Sequence, residues 1–206
     1  MGDASLPEDG IRSDIRAMIL EAFENDHAAT CVTLASGWLV DHPNDLGVII
    51  CHAQMLYKMA RYDEAIPLLV NACERFPESR WSNYCLLGNL FRYRGDFEQA
   101  CVYYQRAVDE DPDEASSLIF LGSMQARLGN LRLAESTHRR AIKCSKGCVD
   151  EAFHNLGLVL RGQGRMDEAR ECFDRAIALD ADDSDAIEAL ADVECVIKLK
   201  ALTKTE

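Results

Sequence analysis

The sequence predicts an all-α fold in which antiparallel helix pairs stack one after another as a solenoid. The first observation is an internal repeat, with three segments that align at spacings of 34 and then 35 residues. The second is that small residues recur at fixed places in these segments. The shared glycines are Gly88, Gly122 and Gly157, and the shared alanines are Ala100, Ala134 and Ala169. A period in this range is typical of solenoids, because one helix pair cannot bury its apolar face alone.

Each repeat is predicted to hold two helices of about 13 residues joined by a short turn. Gly95 and Gly164 supply turn residues between the two helices of a pair. Pro43 and Pro112 end a second helix, because the residue before proline is disfavoured in the helical conformation. Glycine and alanine are expected where paired helices cross, since small side chains let the helix axes approach closely.

The segment 81–114 carries almost every position of a known repeat pattern. Its matching residues are Tyr84, Leu87, Gly88, Phe91, Ala100, Tyr104, Ala107 and Pro112. The segment 150–183 matches through Phe153, Leu156, Gly157, Leu160, Ala169, Phe173 and Ala176. These residues resemble the tetratricopeptide repeat family. The resemblance implies a right-handed α-solenoid, a superhelix of antiparallel helix pairs, with about five repeats plus a C-terminal capping helix.

The predicted organisation is one solenoid domain at 12–200, with an N-terminal tail at 1–11 and a C-terminal tail at 201–206. The repeats are placed at about 12–45, 46–80, 81–114, 115–149 and 150–183, and the capping helix at 184–200. The fourth repeat matches less well, because Gln125 and His138 replace aromatic residues and Lys146 replaces proline. The first repeat keeps mainly the periodicity. Trp38 stands where the family has alanine, so the helix packing there must be adjusted.

Composition and charge restrict the class of partner. The chain has 22 basic and 35 acidic side chains, a net charge of −13, which repels nucleic acid phosphates and anionic lipids. We therefore expect no nucleic acid partner and no membrane insertion. The N-terminal residues lack the apolar core of a secretory signal, and nine cysteines at irregular spacing favour reduced thiols over disulfides. A cytoplasmic location follows as an expectation.

In this family the first helix of each repeat lines the concave groove, so the resemblance implies a protein or peptide partner held there. The predicted partner-binding residues are Gln54, Tyr57, Lys58, Asn89, Arg92, Tyr93, Phe120, Ser123, Arg127, His154, Asn155 and Arg161. The cations among them recur near the end of the first helix in four repeats. Such a series suits an acidic partner, although a cation near a helix C-terminus is also favoured by the helix dipole alone.

The remaining groove residues favour two other kinds of contact. Asn89 and Asn155 could hydrogen-bond an extended peptide backbone, or could simply be polar residues at the surface. The co-chaperone branch of the family binds a C-terminal carboxylate through lysine and asparagine. Here Cys85 replaces that lysine and Phe120 the following asparagine, so no such clamp is expected. Phe120 and Tyr93 indicate apolar anchors instead.

The sequence contains none of the catalytic motifs sought, neither a phosphate-binding glycine-rich loop nor a metalloprotease or serine hydrolase signature. We therefore predict a non-catalytic scaffold or adaptor with no cofactor, no catalytic residue and no metal. Two alternatives stay open. The chain could be a self-assembling subunit of a larger complex, or Cys51 and Cys85 could have a thiol or metal function in the groove.

Overall fold

The computed structural model describes residues 8–203, which form eleven α-helices and one 3-10 turn at Pro77–Ser79. The first six helices are α1 (Glu8–Glu24), α2 (Ala28–Asp41), α3 (Leu46–Lys58), α4 (Tyr62–Arg75), α5 (Arg80–Arg94) and α6 (Phe97–Glu110). The other five are α7 (Ala115–Arg127), α8 (Leu131–Ala141), α9 (Val149–Gly162), α10 (Met166–Leu179) and α11 (Ser184–Thr203). The predicted all-α architecture of two helices per repeat is confirmed, and the capping helix runs three residues beyond its predicted end.

The chain divides into two compact units, and the boundary falls between Leu90 and Phe91 within α5. We call them the N-terminal unit and the C-terminal unit. Of the predicted tails at 1–11 and 201–206, residues 1–7 and 204–206 lie outside the described residues, whereas 8–11 belong to α1 and 201–203 to α11.

In the N-terminal unit, the degenerate first repeat folds as a helix pair, α1 against α2, and its Trp38 is accommodated by Asp45. The Trp38 indole donates to the Asp45 carboxylate at 3.1 Å, and its ring stacks on His42 with centroids 3.8 Å apart. Arg16 of α1 donates to the same carboxylate at 2.8 Å. Asp45 also caps α3 by accepting from the Val48 amide. Burial alone would raise the pKa of Asp45, but these hydrogen bonds outweigh it and lower that pKa.

The turns between paired helices use the left-handed backbone conformation at one fixed place. In three pairs the residue is Gly95, Gly129 or Gly164, with φ between 80 and 86°. In the first two pairs Asp26 and Ala60 adopt φ values of 59 and 57°. A residue with a Cβ atom is disfavoured there, and alanine lacks the polar side chain through which aspartate can tolerate it.

The core of the C-terminal unit is built on close approach between first and second helices. A Cβ atom at Gly157 of α9 would lie 2.6 Å from the ring of Phe173 in α10. His138 of α8 occupies the equivalent place over Gly122 of α7. Both rings are buried, at 0% and 1% exposure. The expected use of small residues at helix crossings is therefore confirmed.

The fourth repeat has 35 residues and not 34, and its additional residue lies in the connection between α8 and α9. This connection is held to the end of the previous repeat. The amide of Ser145 donates to Asp113 at 2.9 Å, and Lys146 pairs with Asp111 at 2.8 Å. Lys146, which replaces the usual proline, thus forms an ion pair with the previous repeat.

Candidate functional site

The first helices of the C-terminal unit lie side by side, because their second helices pack behind them. α7 contacts α9 and α9 contacts α11, whereas α8 pairs with α7 and α10 with α9. We call the surface formed by the last turn of α5 and by α7, α9 and α11 the first-helix face. Seven of the predicted groove residues lie on these helix segments, namely Arg92, Tyr93, Phe120, Ser123, His154, Asn155 and Arg161.

An aromatic and cationic cluster lies at the α5–α7 end of this face. The guanidinium carbon of Arg92 is 4.6 Å from the ring centroid of Tyr93 and 5.6 Å from that of Phe120. Phe120 also packs 5.4 Å from the Tyr104 ring, whereas Tyr93 is 53% exposed. The buried Nε of Arg92 has no hydrogen-bond partner in the part of the chain that the structure describes. The cluster therefore combines a rigid apolar surface with a charged donor.

Two polar side chains connect α7 to α9 in the middle of the face. The Ser123 hydroxyl donates to the Asn155 side-chain oxygen at 3.5 Å, which is a long hydrogen bond. The Asn155 amide donates to the carbonyl of Glu151 one turn earlier, at 2.9 Å. One amide proton and one oxygen lone pair of Asn155 are left by these two bonds. The asparagine is thus oriented by its own helix.

Carboxylates dominate the α9–α11 end of the face. An open pocket of about 470 Å³ lies there, and its lining includes His154 and six acidic residues. The acidic residues are Asp150, Glu151, Asp180, Asp182, Asp183 and Asp185. His154 Nδ1 lies 3.2 Å from the Asp183 carboxylate. Desolvation in this pocket and the neighbouring charge of Asp150 raise the pKa of Glu151, as expected where like charges crowd together.

A second pocket of about 420 Å³ continues between α9 and α11. Its lining includes Leu158, Arg161, Glu188 and Asp192, and Arg161 pairs with Asp192 at 3.1 Å. The carboxylates of α11 are not among the groove residues predicted from the sequence. The acidic run at 180–185 was the available signal, but acidic residues at the start of a helix also have a purely structural explanation through the helix dipole.

Each cation of the predicted series already has a neighbour in its own unit. In the N-terminal unit, Lys58 pairs with Asp26 at 2.6 Å. In the C-terminal unit, Arg127 lies 5.6 Å from the Phe97 ring centroid, and Arg92 and Arg161 have the contacts given above. The two ion pairs are exposed, so water and salt weaken them. The series as a binding site for an acidic partner stays a prediction.

The other predicted groove residues lie in the N-terminal unit. Gln54, Tyr57 and Asn89 are half-buried, and the Tyr57 ring lies 6.2 Å from that of Tyr62. These three residues therefore lie outside the first-helix face, which belongs to the C-terminal unit.

Burial disfavours thiolate formation at Cys51, one of the two cysteines predicted for the groove. Cys51 is buried and Cys85 half-buried, and neither forms a disulfide within residues 8–203. Burial raises the pKa of the Cys51 thiol, which reduces the thiolate needed for redox or metal chemistry. Within residues 8–203, no group of three or more histidine, cysteine or acidic residues is arranged to hold a metal ion.

Comparison with known proteins places repeats in the same segments. Tetratricopeptide repeat family models match residues 85–147 and 150–183. Human tetratricopeptide repeat protein 7A is 30% identical over 171 residues, which cover 81% of this chain and 20% of that protein. A tomato (Solanum lycopersicum) protein, the probable UDP-N-acetylglucosamine–peptide N-acetylglucosaminyltransferase SPINDLY, is 30% identical over 50% of this chain and 11% of its own length. The chain thus spans a fifth or less of these relatives.

Solved structures share the fold at low sequence identity. YrrB, a TPR protein with an unusual peptide-binding site, is 19% identical with a TM-score of 0.65, covering 83% of this chain and 87% of YrrB. The first TPR of Spaghetti (RPAP3), bound to the HSP90 peptide SRMEEVD, is 19% identical with a TM-score of 0.55, over 58% of this chain and 94% of its own. Of the helices described, none is long and apolar enough to cross a membrane.

Proposed function

We propose that this chain, which belongs to the tetratricopeptide repeat family, is a non-catalytic interaction scaffold that binds a protein segment on the first-helix face of its C-terminal unit. The observation that carries the proposal is the juxtaposition of Arg92, Tyr93 and Phe120 beside open pockets on the next two first helices. Aromatic residues and arginine dominate the binding energy of protein interfaces.

The two ends of the face select different chemistry. At the α5–α7 end, Phe120 and Tyr93 offer surface to an apolar side chain, and the Arg92 guanidinium can donate to a carboxylate or carbonyl. At the α9–α11 end, the carboxylates around His154 attract a lysine or arginine and repel acidic residues. The proposed ligand is therefore a segment with an apolar or acidic residue at one end and basic residues at the other. An acidic partner is proposed for the first of these ends only.

The face also suits an extended backbone. Asn155, held by its own helix, can donate to and accept from a peptide group in the middle of the face. YrrB and the RPAP3 repeat domain are proteins of the same fold that bind peptides. The carboxylate clamp is not proposed here, because Cys85 and Phe120 occupy positions where the clamp needs lysine and asparagine.

The proposed setting is the cytoplasm, with a protein partner and without nucleic acid. No disulfide joins any of the nine cysteines, all of which lie within residues 8–203, and this is the usual state in a reducing compartment. The net charge of −13 disfavours contact with phosphate backbones.

The proposal is tested by selecting peptides from a random display library on the purified chain and measuring their affinity by fluorescence polarisation. Phe120→Ala is paired with Leu133→Ala, an exposed apolar residue of α8. Arg127→Glu is paired with Arg132→Glu, an exposed arginine of α8. We expect the Phe120 and Arg127 variants to weaken binding by roughly 30-fold, about 2 kcal/mol, and the α8 variants by less than about twofold.

Circular dichroism and thermal unfolding establish that each variant is folded. Peptides whose affinity depends on the α8 residues and not on Phe120 or Arg127 would place the binding surface on the second helices and refute the proposal.

A further inference from the structure

The capping helix α11 has one face that the other described helices cover and one that they leave exposed. Its inner face packs on α9 and α10 through Ala186, Ala189 and Val193, which are at most 6% exposed. Its opposite face carries a line of apolar or small exposed residues at helical spacing. We call this line the outer stripe, and its members are Ile187, Ala191, Cys195, Leu199 and Leu202. The most apolar of them, Ile187, Leu199 and Leu202, are 47%, 57% and 68% exposed.

The repeat period shows why the stripe is open. Ala191 stands 34 residues after Gly157, the position of α9 that its second helix α10 covers with Phe173. α11 is thus in register with the first helix of a further repeat, and no second helix follows it among the described residues. Several large apolar residues aligned on one face of a helix indicate an interaction surface, whereas single exposed apolar residues are common on any protein surface.

The charges of α11 identify what covers the stripe. Its first half carries Asp185, Glu188 and Asp192, Glu194 follows at the middle, and its last turns carry Lys198 and Lys200. Lys198 reaches back to Glu194 at 3.2 Å. A second copy of α11 laid antiparallel places each acidic half against a basic half, whereas a parallel copy places like charges together. This self-complementarity is what a two-fold symmetric interface requires.

We propose that two copies of this chain pair through their outer stripes, with the α11 helices antiparallel and the two-fold axis at Cys195. Cys195 is the middle member of the stripe and lies within one residue of the midpoint between Ile187 and Leu202. Ala191 then faces Leu199 of the second copy, and the acidic first half of each helix lies along the basic last turns of the other. The paired length is about 22 Å at 1.5 Å per residue, roughly four helical turns. The outer stripe is no part of the first-helix face, although Asp185, Glu188 and Asp192 of the same helix also line the pockets of that face.

The first test is the mass of the purified chain under reducing conditions, measured by light scattering from about 1 to 100 µM, a range set by the affinities of weak dimers. We expect twice the chain mass of 23.0 kDa at the upper concentrations. Ile187→Glu and Leu202→Glu should each weaken dimerisation by at least about tenfold, since they bury a charge in the pair. Leu133→Glu, at an exposed apolar residue of α8, is the matched control and should leave the dimer intact.

The second test locates the symmetry axis. Diamide, a thiol oxidant, takes two electrons and two protons from the pair of Cys195 thiols and is itself reduced to the hydrazine. The product is an intermolecular disulfide that Cys195→Ser abolishes. Cys148 is also exposed, and Cys148→Ser should leave the crosslink unchanged.

The third test reads the charge pattern. Asp185→Lys, Glu188→Lys, Asp192→Lys and Glu194→Lys combined make α11 basic throughout, and Lys198→Glu with Lys200→Glu makes it acidic throughout. Each variant alone should be monomeric, and an equal mixture should form a heterodimer at low salt. A monomer at 100 µM, a dimer that survives Ile187→Glu, or a crosslink that persists in Cys195→Ser would each overturn the proposal.

Discussion

His138 provides the sharpest test of the packing, because the structure buries a titratable ring where the repeat normally places an aromatic one. The ring is 1% exposed and lies against Gly122, and neither of its nitrogens has a hydrogen-bond partner among residues 8–203. Burial lowers the pKa of His138 to about 4. In the folded chain the imidazole is therefore neutral at pH 7, and protonation is opposed by desolvation.

The sign of the pH dependence follows from the two pKa values. In the unfolded chain the His138 pKa is about 6.5, so between pH 6.5 and 4 the unfolded state binds a proton that the folded state does not. The free energy of unfolding therefore falls as the pH decreases through this window, by up to about 1.4 kcal/mol per pH unit and about 3 kcal/mol in total. Above about pH 6.5 the His138 ring is neutral in both the folded and the unfolded chain, so the free energy of unfolding no longer depends on its titration.

The assay is urea unfolding followed by circular dichroism at pH 7.5 and pH 4.5, on the parent chain and on His138→Phe. Phenylalanine fills the equivalent place at Phe173, so the variant should fold. Because His138→Phe removes the titrating ring, we expect the stability difference between variant and parent to be larger at pH 4.5 than at pH 7.5 by about 2.5 kcal/mol. A difference that is the same at both pH values would refute the buried, unpaired state of His138.

Four further substitutions test the backbone, the helix crossings and a helix cap, each by the change in urea midpoint at constant m-value. Ala60→Gly should stabilise the chain by about 1 kcal/mol, because Ala60 is held at φ 57°; a loss would contradict that strain. Gly157→Ala should destabilise by about 1–3 kcal/mol through contact with Phe173. Gly37→Ala, where a Cβ meets no atom within 4 Å, should instead stabilise by up to about 1 kcal/mol. Asp45→Ala should destabilise by about 2 kcal/mol, because it removes a helix cap and two side-chain hydrogen bonds; an unchanged midpoint would show that these bonds add nothing.

The architecture could be predicted from the sequence because its determinants are local and periodic. Gly95 and Gly164 mark turns that need a left-handed residue, and Gly157 marks a helix crossing that needs a small one. The first repeat was harder to recognise. Its packing depends on Trp38 turning toward Asp45, a contact between a helix and the start of the next one. Sequence spacing shows that Trp38 departs from the repeat pattern, but it does not identify Asp45 as the residue that accepts its hydrogen bond.

The candidate site was less predictable, since charge pairing across helices depends on side-chain positions in three dimensions. Their spacing makes Lys58 and Arg161 suitable either for an acidic ligand or for a helix C-terminus, but it does not predict that they pair with Asp26 and Asp192 from other helices. The cluster of Arg92 with Phe120 also joins two helices that are distant in sequence. Periodicity predicts which face of a helix a residue occupies, and the neighbouring helix determines what that residue contacts.

The most direct test of the central claim is to map where a bound segment touches the chain. A selected peptide carrying a photoreactive benzoyl-phenylalanine at each position in turn is crosslinked to the chain, and the attached residues are identified by mass spectrometry. The account predicts crosslinks in the last turn of α5, in α7 and in α9, with Arg92 and Phe120 near the apolar position of the peptide and His154 near its basic one. Crosslinks confined to α8 and α10, or to the N-terminal unit, would contradict it.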